Sequence, residues 1–127
     1  MLYNKGQQRV RERGKVMDSI EKRLETLEYY QTLFFQMIDK NAGPFFHLVI
    51  KNGLTKEEIE GIHAICQELQ NQYEDQKAQG LVIYTDLLTQ FAGQLHPKLN
   101  VDETVQALLK QSLYRELMEE FSKIIHA

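Results

Sequence analysis

The feature that most constrains this fold is the apolar pattern of residues 17–40, MDSIEKRLETLEYYQTLFFQMIDK. The pattern is typical of one long helix, because apolar residues recur along it in steps of three, four or seven. The main stripe and its neighbours are Ile20, Leu24, Leu27, Phe34 and Ile38, then Tyr30 and Met37 beside them, and Phe35 at the edge. A helix that is apolar over so wide an arc must bury two sides.

We therefore predict that one side of this helix packs on its own domain and that the other packs on a second copy of the chain. A two-fold pairing of the helix covers the same surface on both chains at once. The predicted dimer interface consists of Leu24, Leu27, Tyr30, Phe34 and Met37.

Length and composition narrow the class of protein. A chain of 127 residues suits one domain that can bury a core without metals or disulfides. It has no apolar run long enough to span a membrane and no apolar signal segment near its start. The single cysteine, Cys66, cannot form an internal disulfide. We therefore expect a cytoplasmic protein that does not enter membranes.

The net charge of the chain changes from positive to negative at Met17. Residues 1–16 hold five basic residues and one acidic residue, or +4, so residues 17–127 carry −7 of the total of −3. The first segment also contains Gly6 and Gly14 and shows no apolar period. A possible capping box, Asp18 with Glu21, follows Met17 directly. We predict a disordered basic leader at 1–16, which is dispensable or reflects a mis-set start, followed by a single helical domain at 17–127.

Cap and turn signals divide residues 41–127 into further helices. Helix starts are predicted at Pro44, at the capping box Thr55–Glu58, at Thr85 or Asp86, and at Asn100. Ends are predicted at the glycines Gly43, Gly53 and Gly80, with Gly43 in a left-handed cap, and before Pro97, with a break near Ser112. A strand is the rival interpretation of the apolar run 45–50. The predicted fold is all-α, a bundle of five to six helices with a long N-terminal helix.

A weak internal repeat accompanies this pattern. Residues 49–66 align with residues 108–125 without a gap, and Gly53 meets Ser112. This alignment predicts that a helix-turn-helix corner occurs twice, which is fewer units than a solenoid needs.

The sequence contains little that points to chemistry. Glu60 and His63 form one Glu-x-x-His pair, whereas a di-iron bundle needs two such pairs and two further glutamates. His63 and Cys66 are too few ligands for a structural zinc site. Cys66 lies on the apolar face of its helix, where a cysteine is usually inert. We therefore predict no catalytic residues, no metal ligands, no cofactor and no enzymatic activity.

From Met17 onward the chain resembles the YhaI-like family of small bacterial proteins of unknown function. The segments that carry the resemblance are MDS at 17–19, LEYY at 27–30, GLTKEE at 53–58, QKAQG at 76–80, FAGQL at 91–95, KLNVDET at 98–104 and LYRELMEEF at 113–121. The resemblance implies an all-helical bundle that dimerises through its long N-terminal helices, and it supplies no activity. Members of that family start where Met17 stands, so residues 1–16 depart from the pattern.

These observations lead to one expected function and two alternatives. We expect a non-catalytic cytoplasmic protein that acts as a homodimeric interaction or regulatory module. The first alternative is a nucleic-acid-associated protein that uses the basic residues 1–16 to contact phosphates, although the acidic charge of residues 17–127 makes nucleic acid an unfavourable partner. The second alternative is an enzyme with an unrecognised site.

Overall fold

The computed structural model describes residues 5–39 and 41–127, with side chains described from residue 14 onward. Their regular structure consists of six α-helices, and no strand occurs among them. The helices are α1 (Lys5–Met37), α2 (Pro44–Lys51), α3 (Lys56–Ala78), α4 (Thr85–Gln94), α5 (Val101–Lys110) and α6 (Arg115–Ile125). The predicted all-α class is confirmed, and the run 45–50 is helical rather than a strand.

Helix α1 starts earlier than the sequence signals predict. It begins at Lys5 and passes through Asp18, so the predicted start beside Asp18 is wrong, as is the expected disorder of residues 5–16. Lysine, arginine, glutamine and glutamate favour helix, and two glycines that cost about 1 kcal/mol each do not stop it. Residues 1–4 of the predicted leader lie outside the described residues. That residues 1–16 are dispensable stays a prediction.

The chain divides into two compact units, residues 1–37 and residues 38–127. The first unit contains α1, and the second unit, called the body below, contains α2 to α6. Within the body, α5 packs against α2 and α6, α3 packs against α4 and α6, and α4 packs against α6.

Two of the predicted caps in the body are confirmed in atomic detail. The Thr55 hydroxyl accepts a hydrogen bond from the Glu58 N–H at 3.1 Å, and the Glu58 carboxylate accepts one from the Thr55 N–H at 2.9 Å. The Asn100 side chain accepts from the Glu103 N–H at 3.0 Å. Each pair satisfies N–H groups that a helix start leaves without partners.

Two other predicted caps are wrong. Helix α4 begins at Thr85, one of its two predicted starts, but neither Thr85 nor Asp86 caps it, because the residue before its first turn is Tyr84, which makes no side-chain cap. Gly43 has φ −140°, which is not left-handed, because α1 has already ended at Met37. The N-terminus of α2 is instead satisfied by Gln111, whose side-chain oxygen accepts from the N–H groups of Phe45 and Phe46 at 2.6 and 3.2 Å.

The core of the body is apolar and draws on α2 to α6. Its fully buried large side chains include Phe45, Phe91, Phe121, Ile62, Leu69, Leu87, Leu108, Leu117 and Met118. Burial of each such side chain contributes about 1.5–3 kcal/mol. Among the apolar side chains of α2, Phe45, Leu48 and Val49 are buried, whereas 56 % of Phe46 is exposed.

The predicted repeat is present as two matching corners, one between α2 and α3 and one between α5 and α6. Gly53 and Ser112 both adopt the left-handed conformation, with φ values of +63° and +58°. The next residue in each corner closes the same bond, since Leu54 N–H donates to the Val49 carbonyl at 3.0 Å and Leu113 N–H donates to the Leu108 carbonyl at 2.9 Å. These are the bonds of a Schellman motif. The helices before and after the two corners end and begin at equivalent positions of the repeat.

A non-helical link joins α3 to α4. Leu81, Val82 and Ile83 are exposed there, although all three are apolar. Tyr84 is buried at the end of the link, and its hydroxyl donates to the Leu81 carbonyl at 2.6 Å. We refer to residues 81–83 as the exposed link.

Candidate functional site

Most of the exposed large apolar side chains among the described residues lie on α1. All five residues of the predicted interface are on this helix and exposed: Leu24, Leu27, Tyr30, Phe34 and Met37. The exposed fraction is 59 % for Leu27 and 79 % for Met37. Scattered exposed leucines are ordinary, but a row of exposed apolar side chains along one helix is typical of an interaction surface.

The spacing on α1 is that of a heptad repeat, in which positions a and d face a partner helix. Met17, Leu24 and Gln31 occupy position a, while Ile20, Leu27 and Phe34 occupy position d. We call these six residues the seam. The residues beside the seam at position g are Val16, Arg23, Tyr30 and Met37, and those at position e are Glu21, Glu28 and Phe35. The predicted interface therefore consists of seam residues and their g neighbours.

Helix α1 is the longest of the described helices. Helix α1 has 33 residues and is about 50 Å long. Tertiary packing of an apolar face supplies most of the stability of helices in proteins, since the intrinsic preference of the chain is weak. The exposed apolar side chains of the seam form such a face on α1.

A second cluster lies inside the body around Cys66, which is fully buried. Burial raises the pKa of its thiol to about 12, so the thiol is neutral at physiological pH. Nucleophilic attack and metal binding both require the thiolate. The inert role predicted for Cys66 therefore agrees with its surroundings.

His63 lies three residues before Cys66 on α3, and its contacts are structural. Its Nδ1 atom is 3.1 Å from the hydroxyl of Tyr114, and its ring meets the edge of Phe45 at a centroid distance of 5.8 Å. Burial, followed by the nearby Cys66, raises the pKa of the Tyr114 hydroxyl. Glu60 instead pairs with Lys56 at 3.8 Å. The Glu-x-x-His pair therefore does not converge on one site.

Sequence reasoning missed a third cluster, where α5 meets the end of α6. His126 Nε2 lies 3.0 Å from the Asp102 carboxylate, and the Gln106 amide donates to the Ser122 hydroxyl at 2.9 Å. Serine, histidine and aspartate are thus close together, but their hydrogen bonds are not arranged for nucleophilic catalysis, in which the histidine lies between the serine hydroxyl and the carboxylate. A single ring nitrogen of His126, Nε2, contacts both Gln106 and Asp102. The Ser122 hydroxyl bonds to the Gln106 amide. His126 and Asp102 are also about half exposed, where such a pair contributes little.

Beside this cluster a shallow cleft of about 300 Å³ separates α2 from α5. Its rim carries two positively charged side chains, Lys51 and Lys110, and two negatively charged ones, Asp102 and Glu103. No single ligand charge is favoured by such a rim. Among residues 5–39 and 41–127, no group of three or more potential ligand side chains is placed to hold a metal ion.

The described helices also lack a stretch of the length and apolarity needed to cross a bilayer. A comparison with known protein families finds a match to the family described as "Protein of unknown function (DUF1878)", over residues 17–126. The matched region begins at Met17, where the sequence predicted that the domain starts. The chain therefore belongs to the DUF1878 family of proteins of unknown function.

Proposed function

We propose that this protein is a non-catalytic interaction or regulatory module whose working form is a homodimer joined along α1. The observation that carries the proposal is the row of exposed apolar side chains on the seam and its g positions. A second copy is the occupant that fits best, because two copies present the same stripe to each other and cover it on both chains. The chemistry of the body agrees with this role, since the buried Cys66 thiol is neutral and His63 is held by Tyr114.

The proposal also includes the narrower YhaI-like membership, a bacterial source and a cytoplasmic location. The first two rest on the segments that resemble that family. The location is supported by the unpaired Cys66, since oxidising compartments favour disulfides.

The oligomeric state tests the proposal. Light scattering behind a sizing column at micromolar concentration should give the mass of two chains. Leu27→Glu places a carboxylate on the seam of each chain and should give a single-chain mass, because a buried unpaired charge is costly. Glu25→Lys changes a charge at position b, away from the seam, and should leave the mass unchanged. A wild-type mass of one chain would remove the homodimer.

Nucleic-acid association is the second candidate, favoured by one observation. Helix α1 runs unbroken from Lys5, so the basic segment and the seam belong to the same helix. Titration of a labelled DNA duplex tests it at two salt concentrations. Binding that weakens with salt and disappears when residues 1–16 are removed would support this candidate. Binding that survives the removal would place the contact elsewhere.

A further inference from the structure

The inference concerns the direction of the partner helix, and it rests on the homodimer proposed above. We propose that the two copies of α1 pair in parallel and in register as a short coiled coil. Each seam residue then faces its own counterpart. Two features of α1 distinguish this arrangement from an antiparallel one.

The first feature is Gln31, the one polar residue of the seam. In a parallel pair it faces Gln31 of the other copy, and the two amides can hydrogen-bond to each other. In the antiparallel register that overlaps the whole seam, Gln31 faces Ile20 and its amide is buried without a partner. A buried amide that lacks a hydrogen bond is costly, and a polar residue at position a is a known device for setting register.

The second feature is the charge beside the seam. In a parallel pair, position g of one helix lies near position e of the next heptad on the other helix. This places Arg23 beside Glu28 of the other copy, twice in the dimer. In the antiparallel pair, position e faces position e, so Glu21 lies beside Glu28 of the other copy. The charges therefore attract in the parallel dimer and repel in the antiparallel one.

The two directions separate the ends of the seam by a measurable distance. Met17 and Phe34 are the first and last seam residues, and about 25 Å of helix lies between them. In the parallel dimer each of these residues is adjacent to its own copy and about 25 Å from the other position. In the antiparallel dimer these relations are reversed.

Disulfide cross-linking of full-length variants tests the direction. Chains carrying Met17→Cys or Phe34→Cys are oxidised alone and as an equilibrated mixture, in which one variant carries a tag that changes its mass on a gel. The wild-type chain is the matched control, because its buried Cys66 should not cross-link. We expect each variant to cross-link with itself and the mixture to contain no 17-to-34 product.

The outcomes separate this inference from the proposed function. A mixture dominated by the 17-to-34 product, with a two-chain mass by light scattering, would overturn the parallel direction and leave the homodimer standing. A two-chain mass without a cross-link at any of these positions would overturn pairing through α1. A single-chain mass would overturn both proposals.

A charge exchange gives a second measurement that does not depend on cysteines. Arg23→Glu should weaken the dimer by about two- to tenfold, as expected for two exposed charge pairs. The double variant Arg23→Glu/Glu28→Arg should restore it, because the attraction returns with the signs exchanged. Failure of the double variant to restore the dimer would contradict the parallel direction.

Discussion

The substitution Leu27→Ala measures how much the seam contributes to the homodimer. Leu27 is at position d near the middle of the seam, and 59 % of it is exposed in the single chain. Leucine to alanine removes the equivalent of three methylene groups, at about 0.8 kcal/mol for each one buried. If pairing covers the exposed fraction, the loss is about 1.4 kcal/mol per chain and about 2.8 kcal/mol per dimer. The dissociation constant should therefore rise about 100-fold.

Leu33→Ala is the matched control for this substitution. Leu33 is on the same helix and is also exposed, at 38 %, but it occupies position c outside the seam. Its replacement should leave the dissociation constant unchanged within about threefold, which corresponds to the loss from a surface substitution. Sedimentation equilibrium over a dilution series measures both constants, and circular dichroism of the same samples reports whether the body stays folded.

Two results would refute this reasoning. One is a dissociation constant for Leu27→Ala within threefold of the wild-type value. The other is an equal loss for Leu27→Ala and Leu33→Ala, which would mean that α1 is not recognised through one face.

Three further predictions concern the body. Cys66 should react slowly with a thiol reagent in the native chain and at the normal rate after unfolding, because it is fully buried and burial raises the pKa of its thiol to about 12. Fast labelling of the native chain would support a redox role for this thiol. Gly53→Ala should destabilise the body by about 1 kcal/mol, since a Cβ there meets open space and only the left-handed backbone is strained. Ser112→Gly should not destabilise the body, because glycine adopts the left-handed conformation without strain. Denaturant unfolding measures both variants, and equal effects would contradict the equivalence of the two corners. The hydrogen bond from the Thr55 N–H, with a smaller effect of His96, lowers the pKa of Glu58. The contribution of Glu58 to stability is therefore present above the ordinary pKa of glutamate and is lost as the pH falls through the lowered value. Glu58→Gln should flatten the fall in melting temperature across that acidic range, and an unchanged slope would exclude Glu58 as its source.

Local chemistry explains which parts of the fold could be predicted from the sequence. The caps at Thr55 and Asn100 act over three residues, so their partners can be found by spacing alone. The two corners were also predictable, because a left-handed residue and the apolar residues around it recur at the same offset. The apolar stripe of α1 was visible for the same reason, since helical periodicity depends only on nearby residues.

Contacts between distant residues account for what the sequence did not predict. Gln111 caps α2 from 66 positions away, and Tyr114 meets His63 across 51 positions. Neither contact leaves a pattern in the chain. The start of α1 was misjudged for a different reason, because the capping signal at Asp18 competes with helix-forming residues before it, and a helix already under way does not need a cap.

The exposed link, residues 81–83, separates the two helix-turn-helix corners of the body along the chain. The first corner lies before residues 81–83 and the second lies after them, yet the packing of α2 on α5 and of α3 on α4 and α6 crosses from one side to the other. A protease that cuts after Leu81 should therefore nick the backbone without separating the fragments. Such a tip tolerates cleavage and insertion better than the helices that flank it. We therefore expect that the protein can be expressed as two complementing halves divided at residues 81–83, or can receive an inserted reporter domain there.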